Sequence, residues 1–459
     1  MSRGERFLVP SVFLVGIVSL ALAWSSLLQT AAFRFSLLLS AAFAFWFGYF
    51  LVRRMSKANS GSFAEALGHY FTATAAVVFW FGILLLLLNV FLAVALKVTQ
   101  RLHPRLGIQH LQLYGDRVYA PYVDLGLSPE EVDQLLIECF QRPLVYDSFT
   151  QFREGPFSGR FVNVHPMGFR DLKNNAPWPP SPKNLNVFVF GGSTTFGYGL
   201  PDDQTIPAHL QRLIDAAQTP RPVVVYNFAS GFYFSTQERV RFEKLLLDGQ
   251  RPEIAVFIDG LNELGRPDGE PALTGDIREM MERRVAAKEF FLADPGEILR
   301  NMPIKVALQR VFDYAKSVES KARAEGASQT TAAETRTAIL DRYAANQKII
   351  RAVASEFGIH PVFVWQPIPS YGYDLSYHQF QKGSSLPGSP TQREFEAIYR
   401  EMARRIKSTS PGPDFLYLAD VQEGRRESFY LDEVHYTAAF GNEIARYIVG
   451  HMRQRNLLR

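Results

Sequence analysis

The sequence predicts an α/β fold, a parallel sheet covered by helices on both faces and preceded by three membrane-spanning helices. Three observations carry that expectation. Short β-branched and aromatic runs alternate with longer helical patterns from about residue 186 onward, the first hundred residues contain three long stretches without a charge, and polar motifs follow the strand-like runs. At 459 residues the chain exceeds one typical domain and suggests two or three parts.

The uncharged stretches are residues 7–33, 35–52 and 70–96, which sets a membrane anchor over 1–98. A helix of roughly 20 apolar residues crosses about 30 Å of hydrocarbon, so each stretch is long enough to span. For the first, a cleaved signal peptide is the alternative, since Arg3 and Arg6 give a basic start and Ala21-Leu22-Ala23 resembles a cleavage site. Against it, the stretch exceeds the roughly 7–15 apolar residues of such a peptide, and a second follows at once. Lys and Arg beside short loops set the orientation. Arg3 and Arg6 before the first helix, and Arg53, Arg54 and Lys57 after the second, place both ends in the cytoplasm, with Arg34 at the outer turn. The third helix then leads the rest of the chain outside. Lys97, Arg101 and Arg105 oppose this placement, but long domains cross largely regardless of charge.

A net charge of +4 spread along the chain gives no nucleic-acid footprint. The single cysteine, Cys139, excludes an internal disulfide and a cysteine-rich metal site; in the apolar stretch 135–140 it reads as a packed core thiol. Residues 99–145 read as a juxtamembrane connector, with Ser128-Pro129-Glu130-Glu131 starting one amphipathic helix over 132–140, and no chemistry is assigned to it.

In the remaining domain, 146–459, the strand-like runs are 186–190, 222–226, 254–258, 361–365 and 415–418, which suggest a doubly wound, flavodoxin-like sheet. Such sheets place their sites at the carboxyl ends of strands. Ser193 lies just beyond the first run, Asn227 and Gly231 beyond the second, and Asn262 beyond the third. A charged, mostly helical insertion at about 266–332 is given no mechanism, and 333–357 reads as a long amphipathic helix feeding the fourth strand.

Three motifs then read together as a serine hydrolase site: Gly191-Gly192-Ser193-Thr194-Thr195, Gly260-Leu261-Asn262-Glu263 and Asp432-Glu433-Val434-His435. Singly, each has a bland reading as a turn or a helix cap. Their joint occurrence, in order and at the ends of elements, points to chemistry. A serine hydroxyl is a weak nucleophile until a base within about 3 Å takes its proton, and Asp432 and His435 are close enough for one turn to carry both. Of the other histidines, His165 and His209 read as rim or structural residues. No metal is expected, because His435 has only acidic neighbours nearby. No cofactor is expected either, because the glycines from Gly191 to Gly199 lack a P-loop lysine and dinucleotide spacing. Trp365-Gln366-Pro367 closes the fourth strand at the same sheet edge; a substrate contact by Trp365 or Gln366 is set against the favoured reading of a packed aromatic at a strand end, and Tyr436 and Thr437 read as the start of a terminal helix reaching about residue 451.

These motifs, with the upstream phrase Asn163-Val164-His165-Pro166-Met167-Gly168-Phe169-Arg170-Asp171, resemble the SGNH or GDSL-like hydrolases over roughly residues 160–455. The resemblance implies a three-layer α/β/α fold and a serine esterase or acyltransferase. It implies Ser193 as nucleophile, His435 as general base and Asp432 as the group orienting the imidazole. The implied oxyanion hole is the Ser193 N–H, the Gly231 N–H and the Asn262 side-chain amide, donors that contribute about 3–4 kcal/mol each. The chain departs from the family pattern at Gly192, where an acidic residue is usual, and at Glu263, where aspartate is usual. Its glycine block, Asn227-Phe228-Ala229-Ser230-Gly231, has a shorter spacing and leaves the second donor open between Gly231 and a neighbouring amide.

The expected activity is hydrolysis, through an acyl-enzyme, of O-acylated and foremost O-acetylated envelope carbohydrate or lipid. The expected location is a bacterial inner membrane, multi-pass, with the catalytic domain periplasmic. One alternative is an O-acyltransferase modifying an extracytoplasmic polysaccharide, with a membrane acyl-donor protein as partner. Another is a non-catalytic glycan-binding envelope protein, against which the joint presence of Ser193, Asp432 and His435 argues.

Overall fold

Valine, isoleucine and phenylalanine fill five segments that become a single parallel sheet. The computed structural model describes residues 109–289, 329–380 and 392–459 except Gln218, and earlier in the chain only Trp46, Leu84, Leu87, Leu88 and Phe91, all helical. The three expected membrane helices therefore lie outside the described residues, apart from those five positions, and so does most of the 266–332 insertion. Among the described residues no helix is long and apolar enough to cross a membrane. The chain forms two compact units, one of residues 1–98 with 280–318 and one of 99–279 with 319–459. The parallel sheet belongs to the second unit.

Two small antiparallel pairs come first, β1 (Leu144–Asp147) with β2 (Gln151–Glu154), and β3 (Phe157–Ser158) with β4 (Asn163–Val164). The main strands are β5 (Leu185–Gly191), β6 (Val223–Asn227), β7 (Ile254–Asp259), β8 (His360–Trp365) and β9 (Phe415–Tyr417). They lie in the order β6-β5-β7-β8-β9, all parallel, and each falls within a residue or so of its expected run. This is the flavodoxin-like order, in which the chain moves to one side of β5 and then crosses to the other. The crevice between the ends of β5 and β7 is its switch point.

Because side chains alternate along a strand, the two faces of the sheet have separate cores. Val187, Val189, Val225, Ile254, Val256, Val362 and Val364 make one face aliphatic, and it packs on the helices Ile206–Asp215 and Ala438–Gln454. Phe188, Phe190, Tyr226, Phe257, Phe363 and Trp365 make the other aromatic, and it packs on the helices Ser235–Leu247, Gln329–Glu356 and Gln392–Ser408. Burial on both faces explains the unbroken apolar runs. Each such side chain contributes about 1.5–3 kcal/mol. Trp365 is fully buried between Tyr343 and Tyr399, as a packed aromatic.

The helix Pro129–Phe140 starts as its sequence suggests, with Ser128 Oγ accepting from Glu131 N at 3.3 Å and Glu131 Oε2 accepting from Ser128 N at 2.9 Å. Its Val132, Leu135, Leu136 and Cys139 join Val118, Tyr122, Phe196 and Leu200 in a third core. The segment from Gln109 to Phe140 is thus packed onto the sheet domain beside the turn that carries Ser193.

Candidate active site

Ser193 is the first residue of a single helical turn, Ser193–Phe196, at the end of β5. The turn is tied down from below by the fully buried Arg170, from the phrase 163–171. Its guanidinium donates to the carbonyls of Phe196 (3.0 Å), Gly197 (2.7 Å) and Leu200 (2.6 Å) and pairs with Asp202 at 2.9 Å. Asn227, the last residue of β6, adds its side-chain N–H to Thr195 O and Phe196 O, each at 3.3 Å. Thr194 Oγ1 donates to Gln366 Oε1 at 2.8 Å, so Gln366 braces the turn from the end of β8. Carbonyls that a short turn leaves unpaired are satisfied, and the serine is held rigid.

The Asp432–His435 segment precedes the helix Ala438–Gln454, whose N-cap is Thr437. A bridge between Tyr430 and Tyr436, and a 2.7 Å bond from Leu431 N–H to His435 O, close it into a turn. Asp432 uses both oxygens. Oδ1 accepts the backbone N–H groups of Val434 and His435 at 2.9 Å each, and Oδ2 lies 2.7 Å from His435 Nδ1. On the far side of the ring, His435 Nε2 is 2.9 Å from Ser193 Oγ. With Nδ1 donating to the carboxylate, Nε2 presents its lone pair to the serine hydroxyl. Burial works to raise the Asp432 pKa, but the adjacent His435 and the bonds from His110 and His435 outweigh it and hold the carboxyl well below the usual range.

Asn262 follows Gly260, whose φ of +129° turns the chain out of β7; a Cβ there would lie 2.4 Å from Tyr399 Oη, so glycine is required. Asn262 Nδ2 donates one hydrogen to Tyr233 O at 2.7 Å and lies against Gly192, beside Ser193. An amide nitrogen has a second hydrogen to give. The Ser193 N–H, first in its turn, has no intrahelical acceptor.

Gly231 differs from expectation. Its N–H is taken by Glu154 Oε1 at 2.9 Å, and the same oxygen accepts from Tyr198 Oη at 3.0 Å, while Glu154 Oε2 pairs with Arg142 at 2.6 Å. Both side chains of that ion pair are 1% exposed. The cause is β2, which ends at Glu154 and brings a carboxylate to the glycine block. Of the expected donors, the structure brings Ser193 and Asn262 together and engages Gly231 elsewhere.

The connector, given no chemistry by the sequence, also reaches the site. His110 Nε2 lies 3.0 Å from Asp432 Oδ2, and the Phe140 ring is 4.2 Å from that of His110 and 6.0 Å from that of His435. Tyr198 stacks on His435 at 5.8 Å and meets the Phe140 ring edge-on at 5.3 Å. His165 stacks on Phe169 at 4.4 Å, and burial followed by Arg212 pushes His209 down to about 4; neither is placed at Ser193. Next to Asn262 in the chain, Glu263 meets two more buried carboxyls, Glu238 and Asp259. Burial raises all three pKa values, with mutual repulsion adding to Glu238 and Asp259, while the Ser235 N–H at 2.7 Å from Glu263 Oε1 acts the other way. Among the described residues no group of three acids, histidines or cysteines has the geometry to hold a metal ion.

No family model matches the chain, and no curated protein matches it. Among solved structures it is similar to one described as a lipolytic protein of the G-D-S-L family from Desulfitobacterium hafniense, with 13% identity, 58% of this chain and 99% of that one covered, and a TM-score of 0.30. It is similar to an acetyl xylan esterase variant from Geobacillus stearothermophilus, with 12% identity, 58% and 94% covered, and a TM-score of 0.30. A lipase/acylhydrolase from Enterococcus faecalis gives 14% identity, 59% and 96% covered, and a TM-score of 0.29. At such scores these similarities carry no weight of their own. The parallel α/β fold rests on the strand order, and the Ser193–His435–Asp432 geometry on the distances between those side chains.

Proposed function

We propose that this chain is a serine esterase of the SGNH type, working through an acyl-enzyme on Ser193. The observation that carries the reading is the chain of two contacts, 2.9 Å from Ser193 Oγ to His435 Nε2 and 2.7 Å from His435 Nδ1 to Asp432 Oδ2. His435 takes the hydroxyl proton as Ser193 Oγ bonds to the ester carbonyl carbon, and the imidazolium is stabilised by the Asp432 carboxylate. The Ser193 N–H and the free hydrogen of Asn262 Nδ2 receive the negative carbonyl oxygen. Collapse breaks the carbon–alkoxide bond, and His435 returns the proton to the leaving oxygen. Water, deprotonated by His435, then releases the acid and restores Ser193.

The substrate class in this reading is O-acylated, foremost O-acetylated, envelope carbohydrate, with lipid esters as the related class. The location that goes with it is a bacterial inner membrane, with the catalytic domain on the periplasmic side. Support comes from the three uncharged stretches in the first hundred residues. It comes also from Leu84, Leu87, Leu88 and Phe91, helical residues at one-face spacing with 63%, 58%, 44% and 67% of their surface exposed.

The test is p-nitrophenyl acetate turnover by the full chain, wild type against Ser193→Ala, with and without O-acetylated and deacetylated glycans. Turnover lost in the variant supports the nucleophile. Faster acyl loss with a deacetylated glycan, and recovery of acetylated glycan, would replace hydrolysis by transfer to a sugar hydroxyl. Equal rates in a folded variant would sink the catalytic reading in favour of a glycan-binding protein.

A further inference from the structure

Asp432 is shared between two imidazoles. Its Oδ2 lies 2.7 Å from His435 Nδ1 and 3.0 Å from His110 Nε2, from a residue 322 positions earlier in the chain. With the two backbone N–H groups on Oδ1, four donors surround one carboxylate, which fills its acceptor capacity. The His110 side chain is 17% exposed, and its Nδ1 is buried without a hydrogen-bond partner among the described residues. A proton on Nδ1 would have nowhere to go, so the ring carries it on Nε2 and donates it to Asp432. Phe140 holds the ring in place from the next helix.

We infer that His110 is a positioning residue for the Asp432–His435 pair, holding the second lobe of the carboxylate so that Oδ2 meets His435 and drawing off part of its charge. The inference rests on the esterase reading and extends it to the connector. The titratable groups that face His110 are Asp432 and Glu433 from the turn and Tyr114 from its own segment; His435 lies across Asp432, Arg117 donates to Tyr114 O, and His378 Nε2 is 3.3 Å from Glu433 O. A carboxylate relieved of one donor holds its full charge against His435, which favours the imidazolium and lifts the acid limb of kcat/KM. It also loses a constraint on its rotation, which lowers kcat.

The experiment measures kcat and kcat/KM against pH with p-nitrophenyl acetate, and Ser193 labelling by a fluorophosphonate probe. It uses the full chain as wild type, His110→Phe, His110→Gln, His110→Asn and Ser193→Ala. His110→Phe keeps a ring against Phe140 but no donor; kcat should fall about tenfold with KM almost unchanged, and the acid limb should rise by about half a pH unit. His110→Gln places an amide N–H near the Nε2 position and should recover kcat to within about threefold and restore the limb. His110→Asn, whose shorter amide misses that position, should behave as His110→Phe and stands in if the latter does not fold. Wild-type kcat and limb in the Phe or Asn variant would overturn the inference, and so would a fall in kcat with no change of limb and no rescue by Gln. Serine-dependent turnover indifferent to His110 would sink this inference alone. A wild type that neither turns over nor labels, or a Ser193→Ala that turns over, would sink the esterase reading together with it.

Discussion

Gly192→Ala tests the oxyanion arrangement through one methyl group. Gly192 has φ −84° and ψ −159°, which alanine adopts freely, so backbone strain plays no part. The added Cβ would lie 2.3 Å from Asn262 Nδ2 and 3.2 Å from Tyr233 O. Carbon and nitrogen pack at about 3.5 Å, so the amide must withdraw by roughly 1 Å. Withdrawal breaks the 2.7 Å bond to Tyr233 O, a loss of about 0.5–1.5 kcal/mol, against about 0.4–1 kcal/mol recovered from the less flexible unfolded chain. Stability should therefore stay within about 1 kcal/mol, a Tm change of no more than about 4 °C. Catalysis should not be spared, because a displaced oxyanion donor costs about 2.7–4 kcal/mol, or 10²–10³ in kcat. Steady-state turnover of p-nitrophenyl acetate by Gly192→Ala, Asn262→Ala and the double variant decides it. Both singles should fall 10²–10³-fold with little change in KM, and the double should be no worse than Asn262→Ala, since both remove one donor. Activity of Gly192→Ala within about fivefold of wild type, or multiplying effects in the double, would refute the reasoning.

Three other perturbations reach different parts of the molecule. Asp432→Asn should lower kcat on the order of 10³–10⁴-fold by favouring the wrong imidazole tautomer. Because Asp432 holds its charge well below the usual carboxylate range, a wild-type profile of kcat/KM against pH should show no limb from it above about pH 4. Glu154→Ala leaves the Arg142 guanidinium buried and unpaired and should cost about 3–5 kcal/mol in urea unfolding, much of it recovered in Arg142→Leu/Glu154→Leu. For Glu238, Asp259 and Glu263 the folded pKa values lie above the unfolded ones, so the folded state holds the extra protons; this contribution is fullest below the ordinary carboxylate range and declines as pH rises. Glu238→Gln should accordingly raise Tm at pH 8 more than at pH 5, by roughly 2–4 °C for each kcal/mol relieved, and an equal shift at both would refute the account.

The parts of the fold set by local pattern are legible in the sequence. Five apolar runs buried on both faces announce strands without help from anything distant, and the strand order places Ser193 and Asn262 at adjacent strand ends. Ser193, Asp432 and His435 stand out because their spacing and neighbours suit one chemistry, and the structure brings those three side chains together. Gly231 shows the limit. Its backbone is a point of close approach, but what approaches is Glu154, from a four-residue strand with no distinguishing composition. His110 carries no signal at all, since a histidine in a short helix resembles any other until the tertiary fold brings it to Asp432. Arg170 lies within a recognisable phrase, yet its work of collecting three carbonyls beneath the serine depends on where the turn ends.

The sequence separations inside the site set an order in time. Ser193 and His435 are 242 residues apart, and His110 and Asp432 are 322 apart, so on the ribosome Ser193 emerges long before His435, and His110 waits longer still for Asp432. Domains fold as synthesis proceeds, and contacts this distant form last. While β5 and β7 can already be paired, the hydroxyl of Ser193 faces no imidazole until the final turn and the helix behind it are released. On the esterase reading, a nascent or C-terminally broken chain would present most of the α/β domain while remaining inert toward esters, and reactivity would mark the finished polypeptide.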